Sequence, residues 1–125
     1  MGPKPGAGGF AEVVVGVEHL ATTLGSGSVE VLGTPAVVAL CEQATMTALE
    51  GLLRPGETTV GIRVVLDHLA AVGPGATVEA RASLEKVSGR RFSFGVEVSS
   101  GDRLLAVGEI VRHRVDRQRF EKGLG

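Results

Sequence analysis

Hydrophobic and polar residues follow two different periods along the chain, and the change of period marks the predicted elements. Between residues 78 and 85, Val, Ala, Ala and Leu alternate with Glu, Arg, Ser and Glu, which is typical of a half-buried β-strand. Residues 92–98 alternate in the same way. The stretch 34–51 is instead apolar nearly all round a helix, with Thr34 suited to cap it and Pro35 suited to its first position. The chain therefore combines strands with one long buried helix.

Breaks with turn chemistry divide the rest of the sequence into further strands. A first strand begins at Phe10, in a run rich in β-branched residues. Four strands follow the helix, and the short breaks between them predict antiparallel neighbours joined by hairpins. This order of strand, helix and four-stranded meander predicts an α+β chain of the hotdog fold, in which a curved antiparallel sheet wraps a long central helix. The four later strands are predicted at residues 58–70, 77–87, 91–99 and 103–115.

Length and composition limit what the chain can bind. At 125 residues it fits one domain, with residues 10–125 forming that domain and residues 1–9 a disordered N-terminal tail rich in glycine and proline. A net charge of −1 gives no attraction for a polyanion. With no Trp, no Tyr and four Phe, stacking platforms for bases are nearly absent. Nucleic acid is therefore not an expected partner.

Location and cofactors follow from the cysteine, histidine and hydropathy patterns. No apolar run reaches the roughly 20 residues of a membrane span and no secretory signal is present, so no membrane association is expected. One cysteine, Cys41, excludes an intramolecular disulfide and favours the cytoplasm; we expect it to be a small buried apolar residue. Three scattered histidines and this cysteine lack the spacing of metal ligands, so neither a metal nor another cofactor is expected.

Glu42 is the most informative polar residue, because it is an ionised side chain in the middle of the apolar helix. Burying a carboxylate in such a position costs free energy, so we expect it to have a charged or hydrogen-bonding partner or a catalytic role. It could be a structural residue whose head reaches water at a sheet edge or a dimer seam. The interpretation we favour is a base held in a partly dry pocket.

Three other polar positions stand out. Thr34 lies where free N–H groups at a helix start could bind an oxyanion, although a Thr cap there is ordinary. His68 ends the strand after the helix, and a lone His in a strand is usually structural, with Asp67 available to satisfy it. Arg112 opens a basic run, residues 112–119, which would usually be a solvated strand end but could also meet the phosphates of a nucleotide-like ligand.

Two sequence blocks resemble the fluoroacetyl-CoA thioesterase-like branch of the hotdog superfamily. The first lies at residues 29–42, where Val-Glu-Val-Leu-Gly-Thr is followed by a Glu eight positions after that Thr. The second lies at residues 61–75, where a strand ends in His-Leu-Ala and a Pro-Gly turn follows. The resemblance extends over residues 29–115, which is most of the domain.

This resemblance implies a homodimer that hydrolyses a small acyl-CoA thioester to the free acid and CoA. Whether two dimers associate into a tetramer stays open at the level of the sequence. It implies Thr34, Glu42 and His68 as the catalytic residues. It implies Gly61 and Arg112 as substrate-binding residues.

Alternatives remain open at the level of the sequence. The loop at residues 25–28 lacks the phenylalanines that form a lid in the fluoroacetyl-specific enzyme, so a different acyl group is expected. A non-catalytic hotdog module that binds acyl-CoA or another small acyl ligand is the main alternative function. Enoyl-CoA hydration is less favoured, because no Asp-x-x-x-x-His pattern starts the helix.

Overall fold

Five antiparallel strands form one curled sheet around a long helix in the computed structural model, which describes residues 2–125. The predicted α+β hotdog architecture is confirmed. The strands are β1 (Gly8–Val14), β2 (Glu57–His68), β3 (Thr77–Ser88), β4 (Arg91–Ser100) and β5 (Arg103–Asp116). The helices are α1 (Ala21–Leu24), α2 (Thr34–Ala48) and α3 (Arg117–Lys122), and a 3-10 turn spans Val17–His19.

The order of strands in the sheet is β1-β3-β4-β5-β2. The predicted four-stranded meander is therefore wrong for β2, which pairs with β5 at the sheet edge instead of with β3. The reason is that β1 occupies the place beside β3. The segment that connects β2 to β3 therefore crosses from the edge strand past β5 and β4. Its backbone bonds to the end of β1, where the N–H of Gly75 donates to the carbonyl of Val15 at 2.8 Å and the N–H of Val15 donates to Ala76 at 2.9 Å.

Helix α2 is covered on one side by the inner face of the sheet. Its buried residues include Val37, Cys41 and Ala44, and they pack in one core with Phe92 and Phe94. The inner residues of β3 and β4 come from the alternating positions that the sequence pattern predicted. Burial of these side chains is the main stabilising contribution, at roughly 25 cal/mol for each Å² of apolar surface removed from water.

The N-terminal strand approaches the helix more closely than a side chain would permit. A Cβ atom on Gly9 would collide with the carbonyl oxygen of Ala44, so the strand backbone packs directly on α2. The predicted start of the first strand, Phe10, is thus two residues late, since β1 begins at Gly8. Glycine hides this from the sequence pattern, because it contributes no hydrophobic side chain. Met1, the first residue of the predicted tail, lies outside the described residues, and the division into tail and single domain stays a prediction.

The start of α2 also differs from expectation. The predicted N-cap, Thr34, is the first helical residue, and Gly33 takes the cap position without a side-chain hydrogen bond. Gly33 is the cap because its carbonyl accepts from the N–H groups of Ala36 and Val37, and the hydroxyl of Thr34 lies against His68 instead. Among residues 2–125, no helix combines the length and the apolar character needed to cross a bilayer.

Candidate active site

Thr34 and His68 form a hydrogen-bonded pair where the start of α2 meets the end of β2. The hydroxyl Oγ1 of Thr34 lies 2.8 Å from Nδ1 of His68. Nε2 of His68 is buried and has no hydrogen-bond partner among residues 2–125. Asp67, which the sequence offered as a partner for this histidine, is exposed and alternates with it along β2, so its side chain points to the other face. The imidazole is therefore oriented through Nδ1, while its Nε2 is a buried polar atom without a partner in the described part of the chain.

A cavity of about 360 Å³ opens beside this pair. Residues between 26 and 34 form one wall, and residues 68–71 form the other. Thr34 and His68 both contribute to the lining. A volume of this size lies in the range of small-molecule sites, which runs from about 300 to 1,000 Å³.

Glu42 and Arg112 form the second polar group, in the middle of α2. Nη1 of Arg112 lies 3.4 Å from Oε2 of Glu42. Gly61 pairs with Arg112 across the β2–β5 ladder, and a Cβ on this glycine would lie 2.5 Å from Oε2 of Glu42. The missing side chain of Gly61 is thus what lets the carboxylate lie against β2.

Arg112 is held firmly in this position. It is 5% exposed, and its Nε donates to Oγ1 of Thr59 at 2.8 Å while Nη2 donates to the carbonyl of Thr59 at 3.1 Å. Burial lowers the pKa of Arg112 from its usual value, and the nearby Glu42 carboxylate partly offsets this shift. Thr59 and Arg112 are 53 residues apart in sequence, and they meet only because β2 pairs with β5. The sequence pattern therefore did not predict Thr59 as a functional residue.

The carboxylate of Glu42 is partly dry, with 35% of its side chain exposed. The guanidinium of Arg112 lies on one side of this carboxylate, and the other side is open to solvent. Such a carboxylate can accept a proton from water or attack an electrophilic carbon.

The five residues predicted for the site thus occupy two separate groups within the chain. Thr34 and Glu42 are eight residues apart on α2, which corresponds to about 12 Å along the helix axis. Within the described part of the chain, no hydrogen bond or ion pair joins Glu42 to His68. One group contains Thr34 and His68, and the other contains Glu42, Gly61 and Arg112.

Cys41 precedes Glu42 on α2 but points into the core and is 0% exposed. Burial, with a smaller contribution from Glu42, raises the pKa of its thiol to about 12. Because the thiolate is the reactive form, this residue is not a nucleophile at neutral pH. The prediction of a small buried apolar residue is confirmed.

The basic run at residues 112–119 divides into different environments. Arg112 is buried, whereas Arg114 lies over the ring of Phe92 at 5.6 Å and its Nε lies 3.8 Å from Oε2 of Glu57. The end of the run is exposed and forms α3. Only its first residue therefore belongs to the Glu42 group.

Comparison with known proteins gives a consistent picture. The family model for the fluoroacetyl-CoA-specific thioesterase FlK matches residues 15–118. A fluoroacetyl-CoA thioesterase from Streptantibioticus cattleyicolor is 40% identical over 72 residues, which are 58% of this chain and 52% of that relative. The matched segment thus spans about half the length of that protein.

Solved structures resemble the whole fold. A solved structure of the fluoroacetyl-CoA thioesterase FlK has a TM-score of 0.91 at 29% identity, over 98% of this chain and 95% of that chain. A mutant of FlK in complex with fluoroacetate and CoA has a TM-score of 0.85 at 30% identity, over 94% of this chain and 98% of that chain.

Proposed function

Because the chain belongs to the fluoroacetyl-CoA-specific thioesterase family, we propose that it hydrolyses an acyl-CoA thioester to the free acid and CoA. The main supporting observation is the setting of His68. One imidazole nitrogen is fixed by Thr34, the other has no partner within residues 2–125, and the residue lines an open cavity. A module that only bound acyl-CoA would not need an oriented imidazole together with a carboxylate anchored by a buried arginine.

We propose that the protein acts as a homodimer and that each site combines one group from each protomer. Within residues 2–125, no strand pairs with the outer edge of β2, and three apolar residues near its middle, Ile62, Val64 and Val65, are 40–49% exposed. Free strand edges of this kind favour pairing with another chain. Antiparallel pairing of two β2 strands would cover this apolar stretch.

The position of the two groups along β2 supports this arrangement. In the pairing of β2 with β5, Ile62 is an extra residue at a bulge, so Gly61 and His68 each lie three paired positions from Val65. An antiparallel pair of β2 strands centred there therefore places Gly61 of one protomer opposite His68 of its partner. Since Glu42 adjoins Gly61, a complete set of residues forms twice in the dimer. Association of dimers into a tetramer stays an open alternative, and a location in the cytoplasm stays a prediction.

The proposed chemistry assigns one task to each group. Glu42 takes a proton from water, whose oxygen adds to the thioester carbonyl carbon. The C–S bond then breaks, and His68 passes the proton that Glu42 took from water to the departing CoA thiolate, which leaves both residues as they began. Thr34 orients His68, and the positive end of α2 stabilises the developing oxyanion. Gly61 and Arg112 position the thioester and the Glu42 carboxylate, respectively.

The function is tested by assaying the folded protein against a panel of CoA thioesters, together with Glu42→Gln and His68→Gln. Each substitution is expected to lower kcat/KM by about 100-fold or more, because each removes a group that transfers a proton. The matched controls are Glu50→Gln and His113→Gln, which remove the same groups outside the site and should remain within about threefold of the wild type.

The outcomes separate the two candidate functions. Turnover by the wild type, lost in the two site variants, supports the thioesterase. Tight binding of acyl-CoA without turnover identifies the non-catalytic module instead. Equal turnover by the wild type and the site variants would show that the protein is an enzyme whose catalytic residues are not Glu42 and His68.

A further inference from the structure

The cavity beside Thr34 and His68 has a composition that selects among acyl groups. More than half of its lining residues are Ala, Gly or Ser, so the walls are set back and leave open space. The remaining apolar lining comes from residues such as Val31 and Leu32. A site adjoining the proposed proton-transfer residues, with small side chains on both walls, has room for a substituent on the reacting carbonyl.

The charge of the cavity is as informative as its size. None of its lining residues is Asp, Glu, Lys or Arg, and His68 is the one titratable side chain in the lining. In the proposed dimer, Glu42 and Arg112 of the second protomer adjoin this space. An acyl group that ends in a carboxylate would therefore lie beside another carboxylate and beside an arginine already bonded to Glu42 and Thr59. The cavity therefore suits a neutral acyl group.

Its volume exceeds the volume of a two-carbon acyl group. At about 30 Å³ for each water-sized group, a cavity of about 360 Å³ has room for roughly twelve such groups. A two-carbon acyl group would fill only a small part of it and would leave most of the wall without contact. Each further methylene placed against an apolar wall strengthens binding by about fourfold.

The mouth of the cavity is apolar as well. Val29 on one wall is 63% exposed, and Leu69 on the other is 57% exposed. Exposed apolar side chains on both sides of an opening gain from covering by an apolar ligand. An acyl chain that extends from the thioester past these two residues would cover both.

We propose that this cavity is the acyl pocket and that it selects neutral aliphatic acyl groups of about four carbons or more over acetyl. The proposal rests on the proposed thioesterase function and names the substrate class of that site. It places the thioester carbonyl near Thr34 and His68, with the chain directed between Val29 and Leu69.

The test is a chain-length series of acetyl-, butyryl-, hexanoyl- and octanoyl-CoA, with succinyl-CoA as the charged comparison. For the wild type, kcat/KM is expected to rise by on the order of 100-fold from acetyl to hexanoyl, since four methylenes are added. Succinyl-CoA should be hydrolysed at least about tenfold less efficiently than butyryl-CoA. A flat or falling profile in an active enzyme would overturn the proposal.

Two variants narrow the pocket from opposite walls. Ser28→Phe and Ala71→Phe each place a ring in the cavity at an exposed position, where the fold should tolerate it. Each is expected to lower kcat/KM for hexanoyl-CoA more than for acetyl-CoA, and so to reduce the hexanoyl-to-acetyl preference to below about tenfold. Ser88→Phe, at an exposed position on β3 away from the cavity, is the matched control and should keep the wild-type profile.

A binding measurement keeps this proposal distinct from the proposed function. S-ethyl-CoA and S-hexyl-CoA are thioethers that cannot be hydrolysed, and their affinities can be compared by calorimetry. The wild type should bind S-hexyl-CoA on the order of 100-fold more tightly, and Ser28→Phe should remove most of that difference. If the protein shows this preference but hydrolyses no thioester, the acyl pocket stands and the thioesterase function fails. Equal affinities, or an equal effect of Ser88→Phe, would overturn the pocket.

Discussion

Glu42 and Arg112 contact each other beside Gly61, in the space that a side chain at that position would occupy. Oε2 of the glutamate lies 3.4 Å from Nη1 of the arginine, and both lie beside Gly61. The charge that looked out of place in an apolar helix therefore has a partner 70 residues away in sequence. Because that partner is itself fixed by Thr59, the carboxylate is held while part of it remains open to solvent.

Gly61→Ala should separate activity from stability. The added Cβ would lie 2.5 Å from Oε2 of Glu42, so the flexible end of that side chain must move. We expect kcat to fall about tenfold or more, because misplacing a reacting group by an ångström is costly, and the free energy of unfolding to change by less than about 1 kcal/mol. Gly73→Ala is the control, since a Cβ there meets nothing within 4 Å. Wild-type kcat in Gly61→Ala would argue against a catalytic Glu42.

Thr34→Val tests the orientation of His68. Valine preserves the shape of the side chain and removes the hydroxyl that lies 2.8 Å from Nδ1. The expected result is a loss of about 10- to 100-fold in kcat/KM, with little change in Tm because the position is exposed.

Two further variants control that experiment. Thr34→Ser restores a hydroxyl and should recover most of the rate. Thr47→Val removes a hydroxyl on the same helix, one that donates to the carbonyl of Gln43, and should leave the rate unchanged. If Thr34→Val and Thr47→Val have the same effect, the hydrogen bond to His68 has no role in catalysis.

Arg112→Gln should destabilise the fold as well as the site. The substitution removes the donors to Thr59 and leaves Glu42 without its cation, in a region where Arg112 is only 5% exposed. We expect the free energy of unfolding to fall by about 2 kcal/mol in urea denaturation. Arg103→Gln, at an exposed position on the same strand, should change it by less than about 0.5 kcal/mol. Equal stabilities of the two variants would contradict a structural role for Arg112.

The pH dependence of stability should show the burial of Cys41. The pKa of its thiol is raised from 9.0 to about 12, so the folded state holds this proton more tightly than the unfolded state. Its contribution is therefore complete below pH 9.0 and is lost as the pH rises toward about 12. Between pH 8 and 10 the wild type should lose about 1 kcal/mol more stability than Cys41→Ala. Parallel pH profiles of the two proteins would contradict this account.

The sequence predicted the elements better than their arrangement. The alternation in residues 78–85 and 92–98 reflects burial on one face of each strand, which is a local property and was correct for β3 and β4. The placement of β2 beside β5 depends on which strand takes the place beside β3, and nothing in the local pattern specifies that. Turn residues at 73–75 mark a break, but they do not distinguish a hairpin from a crossover.

The candidate site also depends on contacts between elements that the local sequence pattern does not specify. Thr34 and His68 were each singled out by position, yet their hydrogen bond follows only from the meeting of α2 and β2. The apolar helix made Glu42 conspicuous, whereas Thr59 had no such signal because a Thr in a strand is ordinary. What the sequence could not indicate is that the predicted residues form two separate groups within one protomer.

The most direct test of a site shared between protomers uses mixed dimers purified through two different affinity tags. A dimer of one Glu42→Gln protomer and one His68→Gln protomer contains one intact site, and should hydrolyse its best CoA thioester at about half the wild-type rate. A dimer of one wild-type protomer and one protomer with both substitutions contains no intact site and should be nearly inactive. The reverse result, with the first dimer inactive and the second at about half the wild-type rate, would place each site within a single protomer and contradict the account.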